Sequence, residues 1–204
     1  MIIITIFGDY KFKITKMKKL FLVLLCAVMF AGVSNAQKVQ WGVKGGLNLS
    51  NMYSDGGNTN NLAGIFIGGS MEYKVSKWAY GFDLIYSQKG AKSEEEMLGE
   101  RPEIHLDYIS FIPTAKYYVS NNFNFQGGLQ FGINTNAELT YKGESKDLED
   151  VNNFDLGLVL GGEYVFDMGL GLIGRYCFGL TAINDDDSED VKNAALQLGV
   201  SYRF

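Results

Sequence analysis

The single histidine, His105, and the nearby Ser87 are the residues whose chemistry is easiest to name. A serine hydroxyl bonded to an imidazole, with Asp83, Glu103 or Asp107 orienting the ring, would supply nucleophile, base and acid for ester hydrolysis. Nothing in the sequence fixes the register of the two, and both are read first as polar rim residues. Two acidic runs, Glu94-Glu95-Glu96 and Asp185-Asp186-Asp187-Ser188-Glu189-Asp190, offer the hard oxygen ligands that calcium or magnesium takes. They lack the spacing and central glycine of an EF-hand loop, so solvated surface is the expectation. No metal or cofactor site is assigned, and the chain is not read as an enzyme.

A third set is larger. Lys44, Glu72, Lys74, Asp83, Glu163, Arg175 and Arg203, with Gln126, Gln130 and Asn134, occupy alternate positions of otherwise apolar segments. The last run shows the pattern best: Leu196, Leu198, Val200, Tyr202 and Phe204 share one face, and Gln197, Gly199, Ser201 and Arg203 the other. A period of two between an apolar and a polar side is the signature of a strand. An ionised side chain facing lipid costs several kcal/mol by order of magnitude, so if the apolar face meets lipid the charges all point inward. Lys44, Lys74, Arg175 and Arg203 are then expected to pair with Glu72, Asp83 and Glu163 as a plug, a pore lining being the alternative. Cys177 falls on the inward face as a packed thiol.

The elements that must carry these residues are eight strands, near 39–51, 63–76, 78–90, 105–119, 122–141, 154–167, 169–182 and 192–204. Long connections (55–61, 93–103, 143–153, 184–191) alternate with tight ones at Ser76-Lys77, Ser120-Asn121-Asn122 and Asp167-Met168-Gly169. That alternation predicts an all-β fold, an eight-stranded antiparallel up-and-down transmembrane β-barrel with short periplasmic turns, longer external loops and both termini periplasmic. Pro113 interrupts the fourth strand, where a bulge is expected. A soluble barrel or sandwich also alternates, but it hides its apolar face, whereas here the charged face is the one rich in Gly, Ser and Asn.

Met17-Lys18-Lys19, the apolar run from Leu20 to Val33 and Ser34-Asn35-Ala36 form the basic, hydrophobic and cleavage regions of a secretory signal, so the expected division is 1–36 and 37–204. Residues 1–16 either precede the true start or lengthen the basic region. Leu25 before Cys26 argues against lipidation. Beyond Ala36 the chain carries 13 Lys and Arg against 22 Asp and Glu, an acidic balance that excludes a nucleic-acid partner. Cys177 alone remains there, so no internal disulfide can form.

With Gly42-Val43-Lys44-Gly45-Gly46-Leu47-Asn48-Leu49-Ser50, Tyr86-Ser87-Gln88-Lys89-Gly90 and the terminal Tyr202-Arg203-Phe204, the chain resembles the PorT-like outer-membrane beta-barrel domain family of Bacteroidetes over residues 38–204. The resemblance implies location and architecture more than activity, since one namesake takes part in protein secretion and most members have no assigned role. It also implies that Phe204 is the aromatic end read by the barrel assembly machinery. The leading expectation is a small closed barrel in outer-membrane lipid with a structural, adhesion or recognition role. The alternatives are a component of an envelope or secretion machinery, a narrow pore, and an outer-membrane lipid hydrolase.

Overall fold

The computed structural model describes residues 39–54, 57–93, 101–148, 151–183 and 191–204; the signal segment, Cys26 and both acidic runs lie outside the described residues. In chain order the strands are β1 (Val39–Ser54), β2 (Gly57–Asn58), β3 (Asn60–Val75), β4 (Trp78–Lys92), β5 (Glu103–Tyr118), β6 (Phe123–Tyr141), β7 (Glu144–Asp147), β8 (Phe154–Val165), β9 (Leu170–Ala182) and β10 (Lys192–Arg203). Eight long strands pair in sequence order, and β10 returns to β1 from Gly42↔Arg203 to Tyr53↔Lys192, so the sheet closes as an antiparallel barrel. Closure matters because lipid offers no hydrogen bonds: a sheet that spans it must satisfy every backbone group within itself.

Alternation dictates which way each strand faces. Trp41, Val43, Leu47, Ile65, Ile67, Leu84, Leu129, Leu160, Leu172 and Leu198 are exposed on the outside, while Lys44, Asn48, Phe66, Asp83, Ile85, Gln130, Val159, Ile173 and Gln197, of opposite parity, are buried inside. Trp78 packs against Tyr117 (5.0 Å), Phe123 against Phe125 (5.1 Å), Tyr164 against Phe166 (5.0 Å) and Tyr202 against Phe204 (5.4 Å), all beside the tight turns. These pairs make an aromatic girdle at the turn end, where rings with one polar edge favour a membrane interface. At the opposite, loop end of β4 to β6 the outward face turns polar at Gln88, His105, Asp107 and Asn136.

Three expectations are corrected. No bulge forms at Pro113, which stays in register with Phe82, while Phe111↔Phe131 and Thr114↔Gly128 share one unbroken register on the other side. Its missing N–H interrupts the β5–β6 ladder without displacing it. The offset lies instead at Asp107/Tyr108, facing Asn136 and Asn134, with Thr135 as the extra residue. Second, the connections after β1 and β6 hold short pairings. β2 folds back on β1, and β7 on β6 through Lys142-Gly143, both at positive φ (53° and 75°), as a two-residue hairpin turn requires. Third, the lumen is not polar throughout: Phe66, Ile85, Ile112, Val159, Cys177 and Ala195 form an apolar layer, and Met52, Ala91, Leu106 and Tyr108 another at the loop end.

The β1–β10 seam is tight at Gly46, which faces Gly199; a Cβ on Gly46 would run into the Leu198 carbonyl and the Gly199 backbone. Gly46→Val is therefore expected to cost about 1–3 kcal/mol by overpacking, read as a lower urea midpoint in lipid vesicles with the heat-dependent gel shift retained.

Candidate functional site: the lumen charge layers

The inward face of each of the eight long strands delivers at least one charged or amide group, and tilt brings groups from non-adjacent strands together. In the middle of the barrel Lys44 Nζ (β1) lies 2.7 and 2.8 Å from the two Asp83 oxygens (β4), and Arg175 Nη1 (β9) lies 2.7 Å from Asp83 Oδ2. Arg175 Nε donates to Gln197 Oε1 (2.6 Å), and Gln197 Nε2 to Asn48 Oδ1 (2.7 Å). Arg175 is 1% exposed and Lys44 3%, so solvent does not reach the centre of the lumen.

Nearer the turns, Lys116 Nζ donates to Glu72 Oε2 (2.8 Å) and Glu163 Oε2 (3.0 Å), while Arg203 reaches Glu163 Oε2 (2.5 Å) and Glu72 Oε1 (3.3 Å). Tyr118 OH donates to Glu72 Oε1 (2.7 Å) and Ser201 Oγ to Glu163 Oε1 (2.7 Å), leaving both carboxylates with several donors. Toward the loops, Asp155 Oδ2 accepts from Lys89 Nζ (2.9 Å) and Gln130 Nε2 (2.8 Å). Breaking such buried groups costs far more than surface pairs do, since the charge left behind has no water to turn to.

Six of the seven charges expected in the interior, Lys44, Glu72, Asp83, Glu163, Arg175 and Arg203, meet partners there. Lys74 does not: its Nζ sits 3.6 Å from the centre of the Tyr118 ring, at the turn-end mouth, with no carboxylate in ion-pair range among the described residues. Sequence reasoning missed Lys116, Lys89 and Asp155. Lys116 was hidden by the apparent irregularity at Pro113, although the parity of Ser110, Ile112 and Thr114 leads straight to it. Lys89 shares the parity of Asp83, and Asp155 that of Glu163.

Ser87 and His105 are not brought together. Ser87 pairs in register with Tyr108 and His105 with Gly90; Ser87 Oγ, 2% exposed, accepts from Asn48 Nδ2, while His105 Nε2 lies 3.3 Å from Glu103. Asp83 is committed to Lys44 and Arg175, and Asp107 accepts the Tyr86 hydroxyl at 2.9 Å. Cys177 packs in the apolar layer. Phe204 is exposed, its N–H donating to the Trp41 carbonyl at 2.9 Å.

The two glycine-containing motifs interlock. Asn48 Nδ2 donates to the Gln88 carbonyl (2.8 Å) as well as to Ser87, and Ser50 Oγ donates to the Gly90 carbonyl (3.0 Å) while accepting from the Gly90 N–H (2.9 Å). With Lys44 on Asp83, the run at 42–50 and the run at 86–90 with its strand neighbour are two halves of one internal clasp.

A closed barrel of eight strands, apolar outside and filled with paired charges inside, defines a small outer-membrane barrel. The chain belongs to the outer membrane protein beta-barrel domain family, whose profile matches residues 35–185. No curated protein matches the sequence. Among solved structures it is similar to Neisserial surface protein A (NspA), at 16% identity and a TM-score of 0.58, covering 80% of this chain and 97% of that one. It is also similar to Ail, the attachment invasion locus protein of Yersinia pestis, in complex with the heparin analogue sucrose octasulfate, at 18% identity and a TM-score of 0.55, covering 82% and 99%. At these identities the likeness shows the fold.

Asp83→Asn leaves Lys44 and Arg175 without a counter-charge and is expected to destabilise the barrel by about 3–5 kcal/mol, measured by urea unfolding in vesicles. Glu103, outside the apolar belt, behaves differently. The Lys92 ammonium bonded to it at 2.6 Å holds its carboxyl below the usual range. Its stabilising effect is present above the unfolded carboxylate's pKa and fades as pH falls through the folded value. Glu103→Gln is expected to cost under about 1 kcal/mol at pH 7, and less in acid.

Proposed function

We propose that the protein is a closed, non-conducting barrel whose working surface is the set of four long connections, held outside the cell, with the tight turns and both termini in the periplasm. Its role is structural, adhesive or recognitive in the envelope. The observation that carries this reading is the sealed lumen: Lys44, Asp83 and Arg175 at its centre are each no more than 3% exposed, which leaves the loops as the part free to meet a partner.

The loop composition narrows the partner. The connections at 93–103 and 184–191 carry the Glu94-Glu95-Glu96 and Asp185 to Asp190 runs, so a sulfated polyanion of the kind bound by Ail would be repelled. Cationic or neutral ligands fit that charge. Within the family the two interlocked motifs support a place among the PorT-like barrels of Bacteroidetes, and with it a second reading as a docking component of an envelope or secretion machinery. Phe204, exposed at the end of the closing strand, is suited to recognition by the barrel assembly machinery.

The test is single-channel conductance in a planar bilayer after insertion has been confirmed by the heat-dependent gel shift. Electrical silence is expected. Steady openings would make a pore the function, and specific envelope proteins recovered by mild crosslinking in cells would favour the docking role over solitary loop display.

A further inference from the structure

The lumen charges do not balance layer by layer. Lys89 meets Asp155 one to one, but in the middle layer two cations, Lys44 and Arg175, share the single carboxylate of Asp83. Arg175 Nη2 has no hydrogen-bond partner there, and neither Nε2 nor Oε1 of Gln126 has one. Both residues are at least 96% buried. They also lie in one row of the sheet: Gln126 pairs in register with Gly161, and Gly161 with Arg175.

An excess cation in a lumen closed to solvent is costly, and a water molecule could satisfy the free N–H groups without cancelling the charge. An anion does both. We propose that the barrel interior holds a binding site for one small monovalent inorganic anion, of the chloride class, taken up as the barrel folds, with the free Arg175 Nη2 and the Gln126 amide N–H as its donors and Lys44 as the source of the excess charge. The amide of Gln126 is free to turn its N–H toward the ion, because neither of its polar atoms is held by another group.

Unfolded protein is refolded into vesicles in sodium chloride, sodium bromide or sodium gluconate at equal ionic strength, and the urea midpoint is measured in each. The midpoint is expected to rise with the logarithm of chloride or bromide concentration and to stay flat across the gluconate series, as ligand linkage requires. Lys44→Met leaves a balanced Arg175–Asp83 pair, so the halide dependence should vanish. Gln126→Leu leaves every charge in place and should shift the dependence to higher halide concentration, which keeps the test open if the lysine variant does not fold. Midpoints that are the same in all three salts, or a halide response unchanged in both variants, would overturn the site.

Discussion

Lipid forbids an unpaired charge, and the arrangement of this barrel depends on that constraint. Within the apolar belt each of the eight long strands carries ionisable or amide groups at positions of one parity. Because those groups cannot face hydrocarbon, each strand has one permissible rotation, and a slip of one residue would turn its whole charged set outward. The outward apolar face follows from that rotation. So does the filling of the lumen, since a barrel of eight strands has room for side chains and little else.

Inside, the charges work by linking strands that share no backbone ladder. Asp83 on β4 holds Lys44 on β1 and Arg175 on β9; Lys116 on β5 holds Glu72 on β3 and Glu163 on β8; Arg203 on β10 returns to the same two acids. The backbone ladder fixes neighbours, and these links tie strands two apart around the barrel, with Arg175 to Asp83 reaching the opposite wall. Between the charged layers, the Phe66 to Ala195 cluster excludes water, which strengthens the adjoining pairs and raises the cost of leaving any of them unmatched.

Much of this was legible in the sequence, because a period of two is a local property and eight repeats of it, joined alternately by long and short connections, leave few other folds. Parity placed six interior charges where partners stand. It did not say which partner, since pairing across the lumen depends on tilt and register, so Ser87 and His105 could be set on neighbouring strands without their separation being known. Lys116 was lost for a related reason: Pro113 reads as a break, yet with its ring facing outward it removes a donor and leaves the strand's phase unchanged. The β7 pairing was missed because a turn at Lys142-Gly143 followed by the charged run Glu144-Ser145-Lys146-Asp147 looks like loop, and the β2 pairing because it holds only Gly57 and Asn58.

The two glycine-containing motifs also acquire a physical meaning here. Asn48 and Ser50 on one strand grip Ser87, Gln88 and Gly90 two strands away, so the residue types at those positions answer to closure. The most direct test of the account is the state of Lys44 in the folded barrel, read by solid-state NMR in lipid bilayers. A through-space correlation between the Lys44 ammonium and the Asp83 carboxyl, with no exchange peak to water, is the predicted result. An ammonium that exchanges rapidly with water and shows no correlation to Asp83 would contradict a sealed, charge-locked lumen.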